Sequence, residues 1–243
     1  MKRANGTPVC PACPAGRRQA GTGRRATQII LALDVDGFNR AKYFINKLYP
    51  KIKIFKVGIQ LFTACGLKVI KLIQQKGGEV FLDLKFFDIP HTVANAVRQA
   101  VRLKVKMLTL HILGDEEMLK AAISAAKEES RRLKLRRPLL IGVTVLTSKE
   151  ANASDVLTLA KIGIESGLDG IVCSAREAAF LRKEIKRKFI IVTPGIRQNQ
   201  AASNDQKRTA TVKEAIKAGS NFLVIGRPIL EARDPQRAVE ELL

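Results

Sequence analysis

Tryptophan is absent and tyrosine occurs twice, so aromatic side chains make up only 5% of the 243 residues. Single-stranded nucleic acid is commonly bound by stacking bases on aromatic platforms, so the low count argues against that class, and no RNA-binding fingerprint occurs. Long apolar runs are missing as well. None approaches the ~20 residues of a bilayer span, which excludes a transmembrane helix. The four cysteines (Cys10, Cys13, Cys65 and Cys173) are too few and too scattered for a disulfide framework, which points to a reducing, cytoplasmic setting. No GxGxxG turn and no Walker loop is present. Acid is scarce too: 22 Asp+Glu stand against 43 Lys+Arg, for a net charge of +21.

What is present suffices for a globular domain. Hydrophobic residues make up 46% of the chain and charged residues 27%, which excludes wholesale disorder. The start differs from the rest. Up to residue 26 it carries Lys2, Arg3, Arg17, Arg18, Arg24 and Arg25, no acid, Pro8, Pro11 and Pro14, and almost no large apolar side chain. Such a stretch cannot bury enough surface to offset its ordering entropy, so it reads as a disordered basic extension over 1–27. It lacks the apolar segment of a secretory signal. Its Arg-rich composition is mildly like a transit peptide, but the prolines and glycines spoil an amphipathic helix. Cys10 and Cys13 have the spacing of a metal knuckle, yet no second pair follows to complete a zinc site.

From residue 28 to 243 the sequence predicts one domain. Short apolar runs at 29–34, 53–57, 79–84, 107–111, 139–145, 170–173, 189–192 and 221–225 are rich in Val, Ile, Leu and Phe without clean alternation. Strands covered on both faces read this way. Amphipathic stretches lie between them, with apolar residues spaced three to four apart, such as Leu67, Ile70 and Ile73. Gly77, Gly167 and Gly219 stand where helices should stop. Eight βα units in about 215 residues fit a closed (β/α)8 TIM barrel better than an open doubly wound sheet.

Polar residues gather where these strands end: Asp34, Lys56, Asp83, Lys85, His111, Thr147, Ser174 and Arg227. Buried parallel strands do not carry charge without a use for it, and the C-terminal rim is where barrel enzymes place their chemistry. The sharpest segment runs from Phe81 to Thr92. Asp83 and Lys85 are two apart, so a regular strand puts them on one face, and Asp88 follows in the loop. A buried structural ion pair is the plainer explanation. Three acids alternating with Lys56 and Lys85 form more than a pair, however, and desolvation offsets most of the Coulomb gain of such an array. Fixed charges at a barrel mouth suit catalysis better.

Asp83-x-Lys85-x-x-Asp88-Ile89-Pro90-x-Thr92 resembles the signature of the orotidine 5′-phosphate decarboxylase family. The resemblance extends over residues 29–243. It takes in Leu33-Asp34-Val35, Phe55-Lys56-Val57-Gly58, Val145-Leu146-Thr147-Ser148, Thr193-Pro194-Gly195-Ile196-Arg197, Asp205-Gln206 and Ile225-Gly226-Arg227-Pro228. It implies decarboxylation of orotidine 5′-phosphate to UMP, the final step of de novo UMP synthesis, without cofactor or metal. It also implies roles. Lys85 protonates C6 of the pyrimidine, Asp83 and Asp88 flank it, and Lys56 completes the charge network. Asp34 binds ribose, and Thr147 and Ser148 lie near the base. Pro194, Arg197, Gly226 and Arg227 cradle the 5′-phosphate, with Gln206 on a loop that closes over it. Asp88 and Thr92 are expected to reach into a partner's site, so the resemblance implies a homodimer. A phosphate cradle after strands seven and eight is also what barrel architecture favours.

The sequence departs from the family at Ser203-Asn204-Asp205, at His91 and at Ile112-Leu113-Gly114-Asp115, none of which carries an assigned role. His111 reads as a structural or neighbouring group, His91 as a surface helix residue, and Cys65 and Cys173 as core thiols. Two other readings compete. A magnesium-dependent sugar-phosphate decarboxylase or synthase shares the DxKxxD array but needs a further carboxylate ligand. A basic nucleic-acid-binding protein fits the charge but not the aromatic count. The excess charge lies in segments that precede strands, such as Lys104 and Lys106, Arg131 to Arg137, and Arg182 to Lys188. It should therefore surround the barrel face opposite the catalytic rim, either as a solvated surface or as a weak polyanion-binding one.

Overall fold

The computed structural model describes residues 27–145, 152–197 and 209–242. The basic extension other than Thr27 lies outside the described residues, Cys10 and Cys13 with it, and so do Thr147, Ser148 and Gln206. The chain begins with β1 (Gln28–Ala32), α1 (Phe38–Leu48), β2 (Ile54–Gly58), α2 (Ile59–Cys65) and α3 (Leu67–Gln75). It continues through β3 (Glu79–Phe86), α4 (Pro90–Arg102), β4 (Met107–His111), α5 (Asp115–Leu133), β5 (Leu139–Val143) and α6 (Ala153–Ser166). Then come β6 (Gly170–Val172), α7 (Ala175–Glu184), β7 (Ile190–Thr193), α8 (Val212–Lys217), β8 (Phe222–Ile225), α9 (Arg227–Leu230) and α10 (Pro235–Glu240).

The strands pair in sequence order, all parallel, and β8 returns to β1. The fold is a closed (β/α)8 barrel, as the eight apolar runs predict. Two apolar layers follow from the strand pleat. Ile29, Leu31, Phe55, Val57, Val80 and Leu82 point outward and pack under the helices. Ile30, Ile54, Phe81, Met107, Ile141 and Val192 alternate with them and fill the barrel interior. Neither set leaves room for polar residues lower down, which is why the runs read as continuously apolar.

Several boundaries differ from expectation. β1 ends at Ala32, so Asp34 stands just past the ladder; Leu33 makes the last contact, its N–H donating to the Lys56 carbonyl at 3.0 Å. β5 stops at Val143 rather than 145. Leu67 is exposed, and α3 instead buries Val69, Ile70 and Ile73, the stripe that faces the sheet. Gly167 does cap α6, at a φ of 104° that side chains rarely adopt. Cys173 is buried as expected, whereas Cys65 is only half-buried.

The basic residues that precede strands are partly consumed as latches. Arg137 grips the carboxylate of Asp169 at 2.9 and 2.6 Å, and Asp169 also accepts the Leu140 N–H at 2.8 Å, tying the start of β5 to that of β6. Arg132 and Arg102 share the buried carboxylate of Glu129, and their hydrogen bonds hold its carboxyl down to about 2. Lys106 pairs with Glu79. Arg182 donates to the carbonyls of Phe189 and Gly219 and to Asn221. Lys104, Arg131, Lys134 and Arg136 form no ion pair among the described residues. Only part of the charge is therefore a solvated surface.

Candidate active site

The interior register continues upward into the barrel mouth. Two residues beyond inward-facing Ala32 comes Asp34; two beyond Ile54 comes Lys56; two beyond Phe81 comes Asp83; two beyond Val192 comes Pro194; two beyond Val224 comes Gly226. Pairing places Lys56 level with Ala32 and Phe81, and Gly58 level with Asp83. Asp34 and Asp83 thus sit about one layer above Lys56, within reach of its long side chain. All of them line one cavity of about 530 Å³, together with Lys85, Arg197 and Arg227 and an apolar wall of valines.

Lys56 Nζ lies 2.9 Å from Asp34 Oδ1 and 3.5 Å from Asp83 Oδ2, and Asp83 Oδ1 lies 2.9 Å from Lys85 Nζ. The order Asp34–Lys56–Asp83–Lys85 is a continuous chain of alternating charge. Burial pulls the Lys56 ammonium down, but attraction to Asp83 and then Asp34 outweighs it, so the group stands above its ordinary value. Burial likewise pushes the Asp83 carboxyl up, while Lys56 and Lys85 and the hydrogen bonds from Lys85 and Thr109 pull it below the usual range. Both groups are held charged.

β3 is not regular at this point. Its pairing with β4 shifts register between Leu82 and Phe86, and Lys85 has a φ of 51°. A left-handed lysine costs about 1–3 kcal/mol and persists only where its surroundings compel it. Thr109 on β4, 1% exposed, lies against this point. Its Oγ1 accepts the Lys85 backbone N–H at 2.9 Å and donates to Asp83 Oδ1 at 3.0 Å. Sequence reading passed over Thr109 as one more residue in an apolar run. The available signal was its parity, two residues after Met107 and two before His111, on the inward face.

Arg197 follows β7, where a bridge between Ile196 and Ala210 and the Arg197 N–H on the Ala210 carbonyl at 2.9 Å hold the backbone. Arg227 opens α9, which is a single turn whose dipole adds little, so the positive charge at this end of the cavity is that of the side chain. Asp36, Arg40 and Glu231 also line the rim and were not singled out from sequence. A Cβ at Gly58 would stand 3.0 Å from Lys56 Nζ, so a side chain there would crowd the charge chain.

Asp88 and Thr92 do not join this cavity. Both are exposed, and Asp88 Oδ1 accepts the N–H of Ile89 at 2.7 Å. The neighbours of Asp88 in the chain, Phe87 and Ile89, are 60% and 66% exposed, and Leu113 is 60% exposed. His91 is exposed on α4, and His111 lies with its ring 5.8 Å from that of Phe87. Among the described residues no group of three or more His, Cys, Asp or Glu side chains is placed to hold a metal ion, and no helix is long and apolar enough to cross a membrane.

Compared with known proteins, residues 27–242 match the model of the orotidine 5′-phosphate decarboxylase / HUMPS family. The orotidine 5′-phosphate decarboxylases of Syntrophotalea carbinolica and Geobacter metallireducens are each 44% identical to the chain, over 88% and 89% of it and 94% of each relative. The crystal structure of orotidine 5′-phosphate decarboxylase from Lactobacillus acidophilus matches with a TM-score of 0.78 at 36% identity, covering 89% of this chain and 97% of that one.

Proposed function

Because the chain belongs to the orotidine 5′-phosphate decarboxylase / HUMPS family, we propose that it converts orotidine 5′-phosphate to UMP and carbon dioxide in pyrimidine biosynthesis. The observation that carries this reading is the alternating chain Asp34–Lys56–Asp83–Lys85 in a cavity also lined by Arg197 and Arg227. A substrate with a phosphate at one end and a reacting carboxylate at the other matches that arrangement.

In this reading the bond from C6 to the carboxylate breaks, carbon dioxide leaves, and the electron pair stays on C6. Lys85 gives C6 a proton from Nζ and regains one from water. Asp83 keeps Lys85 charged and presents negative charge to the carboxylate before it departs. Lys56 and Asp34 bind the ribose and hold Asp83 in place. Pro194 and Gly226 shape the phosphate pocket while Arg197 and Arg227 grip the anion with charge-assisted hydrogen bonds. Thr147 and Ser148 serve the base and Gln206 the closing loop. Enzymic barrier reductions span roughly 8–23 kcal/mol, and a vinyl-type carbanion calls for the upper end. Remote phosphate binding supplies part of it.

The same reading includes a homodimer. Within one chain the four charges at the mouth cancel, and the third acid of the motif, Asp88, is exposed between the exposed apolar residues Phe87 and Ile89. Exposed apolar residues beside a motif acid suit a self-complementary interface. Across it the partner subunit's Asp88 and Thr92 would complete each site. Cytoplasmic residence accords with the free thiol of Cys65.

The test is loss of orotidylate absorbance by purified protein in EDTA. Full turnover is expected. Turnover only with an added divalent ion would overturn the metal-independent reading, and no loss of orotidylate absorbance with or without that ion would favour the magnesium-dependent sugar-phosphate chemistry.

A further inference from the structure

Thr109 stands outside every role assigned above, yet its hydroxyl touches both halves of the Asp83–Lys85 pair. A hydroxyl has one hydrogen to donate and two lone pairs to accept with. Here the donation goes to Asp83 Oδ1 at 3.0 Å, and one acceptor position takes the Lys85 N–H at 2.9 Å. At Lys85 the ladder between β3 and β4 is interrupted, so the threonine side chain replaces the carbonyl that a regular strand would offer. It sits under the cavity rather than in it, and it does not line the space where substrate goes.

We propose that Thr109 is the positioning residue of the reaction, holding Lys85 in its left-handed backbone conformation and fixing the rotamer of Asp83, so that ammonium and carboxylate meet the substrate already aligned. The proposal rests on the reading that Lys85 delivers the proton. Its physical basis is a division of labour. The backbone of Lys85 is strained and returns to an extended conformation unless its N–H is satisfied there. The Asp83 carboxylate, with one oxygen shared between Lys85 and Thr109 and the other facing Lys56, has its plane set by three donors on three strands. Removing the hydroxyl loosens both partners at once while leaving the phosphate grip on Arg197 and Arg227 intact. Such a change should act on kcat and spare KM.

The experiment compares Thr109→Val, which deletes the hydroxyl at nearly constant volume, with Thr109→Ser, which keeps it. Thr109→Ala is run beside them so that a misfolded valine variant does not decide the matter, and circular dichroism and UMP affinity report the fold and the phosphate site. For Thr109→Val and Thr109→Ala, kcat should fall about 10- to 100-fold, the worth of a hydrogen bond to a charged group, with KM within about twofold. The acid limb of kcat should move to higher pH, because Asp83 loses a donor that keeps its carboxyl low. Thr109→Ser should keep most of the activity. Wild-type kcat in the valine or alanine variant, or a serine variant as impaired as the valine one, would overturn the proposal. Lys85→Ala is measured in parallel. If it is inactive while Thr109→Val is unimpaired, only this inference fails; if Lys85→Ala is fully active, the assignment of the proton donor fails and this inference with it.

Discussion

Lys85 Nζ donates to Asp83 Oδ1 at 2.9 Å although a single residue separates the two along β3. In a regular strand, residues two apart are roughly 6–7 Å apart along the axis and project in parallel. The register shift and the positive φ at Lys85 accompany the closer approach. The pair is therefore specified by the backbone as well as by charge.

Lys85→Ala should abolish turnover while the circular dichroism spectrum and the melting transition stay those of a folded barrel. Retention of a tenth of wild-type kcat would show that the proton comes from elsewhere. Arg227→Ala should act differently, raising KM by about 10- to 100-fold through loss of a charge-assisted phosphate contact.

Mixing inactive Asp88→Ala subunits with inactive Lys85→Ala subunits should restore activity. In a mixed dimer one site carries both defects and the other neither. Mass spectrometry verifies that subunits have exchanged; exchange without rescue would mean that Asp88 acts within its own chain.

The pH dependence follows from the two shifted groups. The Asp83 carboxyl is depressed, so its contribution to stability is present above the ordinary value of 3.8 and is lost as pH falls below it. The Lys56 ammonium is raised, so its contribution is complete below 10.5 and is lost as pH rises beyond that. As far as these two groups decide, kcat and melting temperature should be flat from about pH 5 to about pH 9.5. An inflection near neutrality that vanishes in Asp83→Asn or Lys56→Ala would contradict these directions.

On the opposite face, Arg137→Ala should lower stability by about 1–2 kcal/mol, because it leaves the largely buried Asp169 without its guanidinium. Replacing Lys104, Arg131, Lys134 and Arg136 together should leave melting temperature and kcat unchanged. The same variant tests weak polyanion binding: retention on immobilised RNA at low salt should drop and depend steeply on salt. Unchanged retention would dispose of that role for this face.

The barrel itself was legible in the sequence, since eight βα units can bury both faces of eight parallel strands in few other ways. So were most of the charged cavity residues, because charge at the end of an apolar strand has no other favourable place. Asp34, Lys56, Asp83, Arg197 and Arg227 were found by that argument or by resemblance to the family. Thr109 was not, for a threonine in an apolar run carries no charge to betray it, and its importance comes from facing a break in the neighbouring strand. The latching of Arg102, Arg137 and Arg182 was equally hidden, because their partners lie 27, 32 and 37 residues away and local spacing cannot distinguish a solvated cation from one that closes a loop. Local composition determines which residues leave water and with what period. Which polar group meets which is decided by strand register and by single irregularities in it, and those exist only once the barrel has closed.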